Sequence, residues 1–241
     1  MKTAIVDYRI SAECEQALVA EGFAVIRTEP YRRLSQPICA HTDMLLFKLA
    51  DRLFTPRDYY ESHRGLFEKI ENACPSVKII KTSDIPEADY PRDAKMNLLS
   101  AGGAIFANRA SASGEIISYA EGLGLDICEV KQGYPACTVL VLRRAAITAD
   151  RGMARALERR GLSVTLISEG GVSLPPYKHG FIGGAAGIYG RHVYFAGALS
   201  RHPDGDRIAE ACRIAGFEPI SLGSAPLHDV GGILFLEENV D

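Results

Sequence analysis

The sequence predicts an α/β ring of five strand–strand–helix–strand units, the fifth completed by the first residues of the chain. Three observations predict it. A glycine that can close a helix, followed at once by an apolar strand, recurs at Gly22, Gly124, Gly161 and Gly216. Two short apolar runs stand before nearly every helical pattern. Polar residues able to do chemistry sit just ahead of the first run of successive units. A plain mixed α/β sheet also alternates strands and helices. The repeat, and terminal runs that complete one another, favour the ring.

Taken in order, Thr3–Val6 reads as a strand, and Ser11 can cap a helix over 12–21 that Gly22 ends before the strand Ala24–Arg27. Met44–Phe47 and Arg52–Thr55 pair ahead of a helix over 57–72, which turns Leu66, Phe67 and Ile70 to one face. Here Pro75 replaces the glycine as the stop before Val77–Ile80. Met96–Leu99 and Ala104–Ala107 precede a helix capped by Ser113, with Ile116, Ile117, Ala120 and Leu123 inward. Thr138–Leu142 and Ala145–Thr148, joined by a turn at Arg143-Arg144, precede a helix capped by Asp150 that carries Met153, Ala156 and Leu157. Phe181–Ala185 and His192–Phe195 precede a helix behind Asp204 or Asp206 that carries Ile208, Ala211, Cys212 and Ile214. Ile233–Leu236 is left to pair with Thr3–Val6, which closes the ring and removes an open sheet edge. The longest loop is 168–180, and one domain of residues 1–241 is expected.

Bulk properties narrow the function. With 47% hydrophobic and 24% charged residues, the chain has ordinary globular composition and can bury a core. A net charge of −3 gives no reason to expect nucleic-acid or membrane partners. No apolar run approaches the roughly 18 residues of a membrane helix, and the charged N-terminus is unlike a signal peptide. The six cysteines, at 14, 39, 74, 128, 137 and 212, form no C-x-x-C pair, which fits a reduced, cytoplasmic chain.

In a ring, the lead-in to each first strand converges on the axis. Those lead-ins carry His41 and Asp43, Asp93 and Lys95, Cys137, His179, and His228 with Asp229. Buried polar groups cost several kcal/mol unless paired, so their recurrence at matching points indicates a site. The residue types suit nucleophilic catalysis by the thiol of Cys137, with His41 moving the proton and carboxylates orienting the histidine or holding a cation. A guanidinium or amidinium, with its planar fork of donors, suits such carboxylates, whereas Lys95 would repel it. Plain alternatives stand beside these readings. Cys137 could be a packed core thiol, His41 a hydrogen-bonded turn residue and His179 a solvated loop residue. His63, His192 and His202 read as surface or turn residues. The glycines at 180, 183, 184, 187 and 190 do not spell a phosphate loop and lead into a strand. They mark close approach of the backbone to the axis or a ligand. No metal-ligand spacing of any specificity is present.

The five units, the His41-Thr42-Asp43 lead-in and the cysteine at an equivalent lead-in resemble the pentein superfamily of guanidino-group-modifying enzymes: arginine and agmatine deiminases, dimethylargininase and the amidinotransferases. More closely, Gly133-Tyr-Pro-Ala-Cys-Thr-Val-Leu-Val-Leu142, Ala146-Ile-Thr-Ala-Asp-Arg-Gly152, Gly180-Phe-Ile-Gly-Gly-Ala-Ala-Gly187 and Leu227-His-Asp-Val-Gly-Gly232 resemble an uncharacterised bacterial family assigned to that fold. The resemblance implies a five-bladed α/β propeller with Cys137 as nucleophile and His41 as proton shuttle. It implies Asp43, Asp93 and Asp229, with His228 and His179, around a small guanidino or amidino substrate, and no cofactor. Water would make the enzyme a hydrolase and an amine acceptor a transferase. The fold equally implies a second reading, a non-catalytic binding protein, because it resembles that of a ribosomal anti-association factor lacking a catalytic thiol. Oligomeric state has no signature in the sequence.

Overall fold

The computed structural model describes residues 2–237. In chain order, β1 (Lys2–Val6), α1 (Ala12–Ala20) and β2 (Ala24–Arg27) are followed by α2 (Thr42–Leu45), β3 (Phe47–Leu49), β4 (Arg52–Pro56), α3 (Arg57–Ser62), α4 (Arg64–Ala73) and β5 (Lys78–Thr82). Next come β6 (Leu99–Ala101), β7 (Ala104–Ala107), α5 (Gly114–Gly122) and β8 (Asp126–Glu129). The last units are α6 (Pro135–Thr138), β9 (Val139–Leu142), β10 (Ala145–Thr148), α7 (Arg151–Arg159) and β11 (Ser163–Leu166), then β12 (Ala186–Tyr189), β13 (His192–Phe195), α8 (Gly205–Ile214), β14 (Glu218–Ser221) and β15 (Leu234–Glu237).

These strands form five three-stranded sheets. Each has a middle strand that pairs antiparallel on one side and, across a helical crossover, parallel on the other. β15 occupies the antiparallel place beside β1, with Lys2 opposite Glu237 and Ile5 opposite Leu234. The expected completion of one unit by both ends of the described chain is therefore present.

Side-chain alternation turns five sheets into a ring. Successive residues of a strand point to opposite faces, and here the two faces meet different neighbours. On β4, Leu53 packs into a cluster with Ile5 and Leu236, whereas Phe54 packs with Ile105 and Ile116. On β7, Ile105 belongs to that second cluster and Phe106 to the next, with Ala146 and Met153. Ile147 joins Val193 and Phe195, while Tyr194 joins Ala4, Val6 and Leu18. Five clusters thus span five seams, and the fifth returns to the first unit. Leu53, Ile105, Phe106 and Ile147 are fully or almost fully buried, each stabilising the seam by about 1.5–3 kcal/mol. Burial on both faces is why these middle strands read as unbroken apolar runs.

Helix ends follow local chemistry. Ser11, Ser113 and Asp150 accept hydrogen bonds from the first-turn amides of Cys14, Ile116, and Gly152 with Met153. Asp204 instead spends its carboxylate on the Ser168 amide at 2.6 Å and caps nothing with its side chain. The single helix expected over 57–72 is two, because Ser62 Oγ and His63 Nδ1 bond the carbonyls of Asp58 and Tyr59 and break the ladder at His63. Leu123 and Ile214, expected inward, are 48% and 79% exposed at the last turns of their helices. No helix among the described residues is long and apolar enough to cross a membrane.

The larger difference lies at the first strand of each unit. Met44 and Leu45, Met96, Thr138 and Phe181 were expected to begin strands, but the strands start later, at Phe47, Leu99, Val139 and Ala186. Single helical turns, α2 and α6, occupy two of the lead-ins, and turns occupy the others. Pro135 at the first turn of α6 lacks an amide donor, which suits that position. Irregular segments 83–98 and 167–185, the latter longer than the expected loop, hang over the axis.

Candidate active site

Backbone hydrogen bonds stitch the lead-ins together. The Asp43 amide donates to the Gly231 carbonyl (3.0 Å), the Gly184 amide to the Cys137 carbonyl (3.0 Å), and the Val230 and Gly232 amides to the Gly184 carbonyl. Four stretches far apart in sequence are so fixed around one point. The glycines are needed there by close approach. A Cβ on Gly184 or Gly180 would overlap Asp229, one on Gly183 would strike the carbonyls of α6, and one on Gly231 would strike His41.

Cys137, in α6, lies in direct contact with Asp43 of α2, its thiol donating to Oδ2 at 2.6 Å. Asn97 reaches the same sulfur with Nδ2 at 3.2 Å and uses Oδ1 to accept the Ala136 amide at 2.8 Å. His41 is 1% exposed, with Nδ1 3.7 Å from Asp229 Oδ1. Asp229 is held by the amides of Phe181 (2.9 Å) and Gly231 (3.0 Å). Asp93 accepts the Tyr134 hydroxyl at 2.5 Å.

His41, Asp93, Cys137, His179 and Asp229 line one cavity of about 490 Å³. Three enclosed polar atoms on residues at or beside it have no partner among the described residues: His41 Nε2, Asp93 Oδ1 and Asp43 Oδ1. Buried polar atoms are nearly always satisfied, so three unpaired ones on residues gathered around this point mark it as a candidate site. Asp43 is partly exposed as a residue, toward a second cavity lined by Thr42 and Lys48, although its Oδ1 is enclosed.

Burial dominates the electrostatics. It pushes the Cys137 thiol well above its ordinary range, and the charges of Asp43 and Asp229 push it further, with Asn97 opposing. It likewise raises the Asp43 carboxyl, with help from Asp229. It lowers His41, Asp229 partly offsetting that, so the imidazole is neutral at pH 7. Asp93 is raised by burial, against the pull of the Tyr134 hydrogen bond. The site therefore holds a protonated thiol and a neutral histidine beside the acidic side chains of Asp43, Asp93 and Asp229. A bound cation would lower the thiol and the carboxyls together.

Two other candidates sit differently. His179 is at the edge of the cavity, where Nδ1 donates to the Gly180 carbonyl (3.2 Å) and Nε2 faces Glu169 at 3.8 Å. His228 lines a separate cavity with Arg9 and Glu13 and is not brought to Cys137. Lys95 is not among the residues lining the cavity of Cys137. His202, expected at the surface or in a turn, is 4% exposed and accepts the Asp204 amide through Nδ1, filling the space beside Gly171. Sequence reasoning passed over Asn97, Tyr134 and Asp89. Asn97 did carry a signal, because an amide inside Met96-Asn97-Leu98-Leu99 must find buried partners. Among the described residues no group of three His, Cys, Asp or Glu side chains is arranged to hold a metal ion.

The fold is the pentein fold. The chain superposes on DDAH from Pseudomonas aeruginosa, complexed with citrulline, with a TM-score of 0.58 at 10% identity over 92% of this chain and 91% of that one. It superposes on the agmatine deiminase of C. jejuni with a TM-score of 0.57 at 9% identity over 92% and 87% of the two chains. For an amidinotransferase of the saxitoxin biosynthetic pathway from Microseira wollei, the TM-score is 0.53 at 13% identity, over 91% and 87%. At these identities the likeness is one of fold. No curated protein matches the chain in sequence. Residues 5–234 match the model of a family of unknown function, DUF6873.

Proposed function

The chain belongs to the family of unknown function DUF6873, and from that premise we propose that it is a cysteine-dependent enzyme acting on a small guanidino or amidino compound. The observation that carries the reading is that Cys137 and buried His41, whose Nε2 has no partner among the described residues, line one cavity. Binding of a cationic substrate beside Asp93 and Asp229, with Asp43 behind the sulfur, lowers the thiol toward ionisation. The thiol passes its proton to neutral His41, Asp229 stabilises the imidazolium that forms, and Sγ attacks the central carbon of the amidinium. His41 then returns the proton to the departing nitrogen as the C–N bond breaks, leaving a thiouronium on Cys137 from a guanidinium or a thioimidate from an amidinium. Water attacking that carbon, with His41 taking its proton, expels Cys137 as the thiolate, which His41 reprotonates, and this gives hydrolysis. An amine in the same place gives transfer.

A second reading, a non-catalytic binding protein on this fold, is favoured by one observation: the thiol is buried, protonated and without a neighbouring cation, as in an ordinary core cysteine. Chloroacetamidine separates the two, since it is itself an amidinium with an electrophilic carbon. The enzyme reading expects selective labelling of Cys137, abolished in Cys137→Ala and slowed at least about tenfold in His41→Ala. Labelling spread over the other cysteines, or none, leaves the binding protein.

A further inference from the structure

The cavity carries acid and aromatic groups but no cation. Asp89, Asp93 and Asp229 line it, and none of its described lining residues is lysine or arginine. Arg9, whose charge reaches His41, is tied to Asp7 through Nε and Nη2 and lines a different cavity. The walls are Tyr90, Tyr134, Tyr177 and Phe181, and the rings of Tyr90 and Tyr134 lie 5.1 Å apart. Tyr90 and Tyr177 are 55% and 49% exposed, so two of the few large apolar side chains left in solvent stand at this one mouth. Deeper in, Asp93 is 2% exposed with Oδ1 unpartnered, and His41 Nε2 is unpartnered too.

Such a lining selects by charge along the whole length of a ligand. An amino-acid substrate brings a carboxylate as well as its guanidinium, and a site that binds it needs a cation for that carboxylate. Here the carboxylate would meet Asp89 and aromatic faces, whose negative quadrupoles repel anions and attract cations. Resting on the guanidino or amidino reading of the site, we propose that its ligands are cations without a carboxylate, with an aryl or alkyl body that lies between the tyrosines. Free amino acids such as arginine are excluded.

Calorimetric titration of the full chain with benzamidine and with 4-amidinobenzoate tests this, since the two differ only by the carboxylate. Benzamidine is expected to bind at least about tenfold more tightly, and Asp93→Asn to weaken it. Ala88→Arg, at an exposed position of the lining, is expected to narrow the gap by gaining affinity for 4-amidinobenzoate. Equal or tighter binding of 4-amidinobenzoate by the unaltered chain overturns the proposal, as does binding of neither compound. Chloroacetamidine labelling keeps the two ideas apart. Labelling of Cys137 without the charge preference removes only the preference. The preference without labelling removes only the catalysis.

Discussion

The Sγ of Cys137 and the Oδ2 of Asp43 share one hydrogen at 2.6 Å, although the two residues come from different units and stand 94 positions apart. Burial raises both groups, and Asp43 raises the thiol bonded to it further, so the thiol keeps its proton.

Cys137 should be slow toward neutral alkylators. Half-buried Cys128 should react with iodoacetamide first, and the Cys137 rate should rise only above the ordinary thiol range. Burial is the main cause of the raised thiol and the charge of Asp43 adds to it, so Asp43→Asn should move the labelling midpoint of Cys137 to lower pH. Mass spectrometry of labelled peptides across pH 6 to 11 reads both. A wild-type midpoint at the ordinary thiol value would count against this picture.

Asn97 acts on both sides of the cysteine. Asn97→Ala leaves the Ala136 amide without its acceptor and removes the donor that favours the thiolate. The expected result is a loss of about 1–3 kcal/mol in urea unfolding, together with a Cys137 midpoint displaced upward. A stability loss with no change in midpoint would reduce Asn97 to a packing role.

His41 contributes to acid sensitivity. Burial puts its folded value below 6.5, so the unfolded chain binds the proton first. Its contribution to stability is complete above that value and is lost as pH falls through the unfolded value toward the folded one. His41→Gln should therefore lose less stability than the wild type between pH 8 and pH 5 in parallel denaturation series. His202, also lowered by burial, is unchanged in both chains and cancels. Parallel curves would mean that His41 does not resist protonation.

Gly184→Ala and Gly114→Ala form a contrasting pair. The first puts a methyl group into Asp229, while the second, at the start of α5, meets nothing within 4 Å. Gly184→Ala should cost at least about 2 kcal/mol or fail to fold, and Gly114→Ala should be neutral or slightly stabilising. Thermal melts distinguish them, and equal effects would undo the account of the glycine run.

The ring was legible because its middle strands, helix caps and helix-ending glycines are local. Ile105-Phe106 or Asp150 with Gly152 and Met153 can be read from a window of a few residues. The lead-ins were harder. Met44, Leu45 and Thr138 are apolar or β-branched, and nothing local tells a buried helical turn from the start of a strand. The deciding contacts, such as Asp43 to Gly231 and Gly184 to Cys137, come from other units. The same limit applied within the site. His41, Asp43, Asp93 and Cys137 stood out as polar residues in apolar surroundings, but that Asp43 would meet the sulfur, and that His228 would face another cavity, depends on how units far apart in sequence are rotated against one another.

The seam between β15 and β1 has a mechanical consequence. An open repeat array frays from its ends, because a terminal unit has one neighbour. Here every hydrophobic cluster is owned by two units, and the unit made of β15, β1 and β2 holds on to both of its flanks. No blade can detach without opening two clusters at once, so loosening any one of them loosens the circle. The closed ring thus couples the geometry around Cys137 to the packing of every blade.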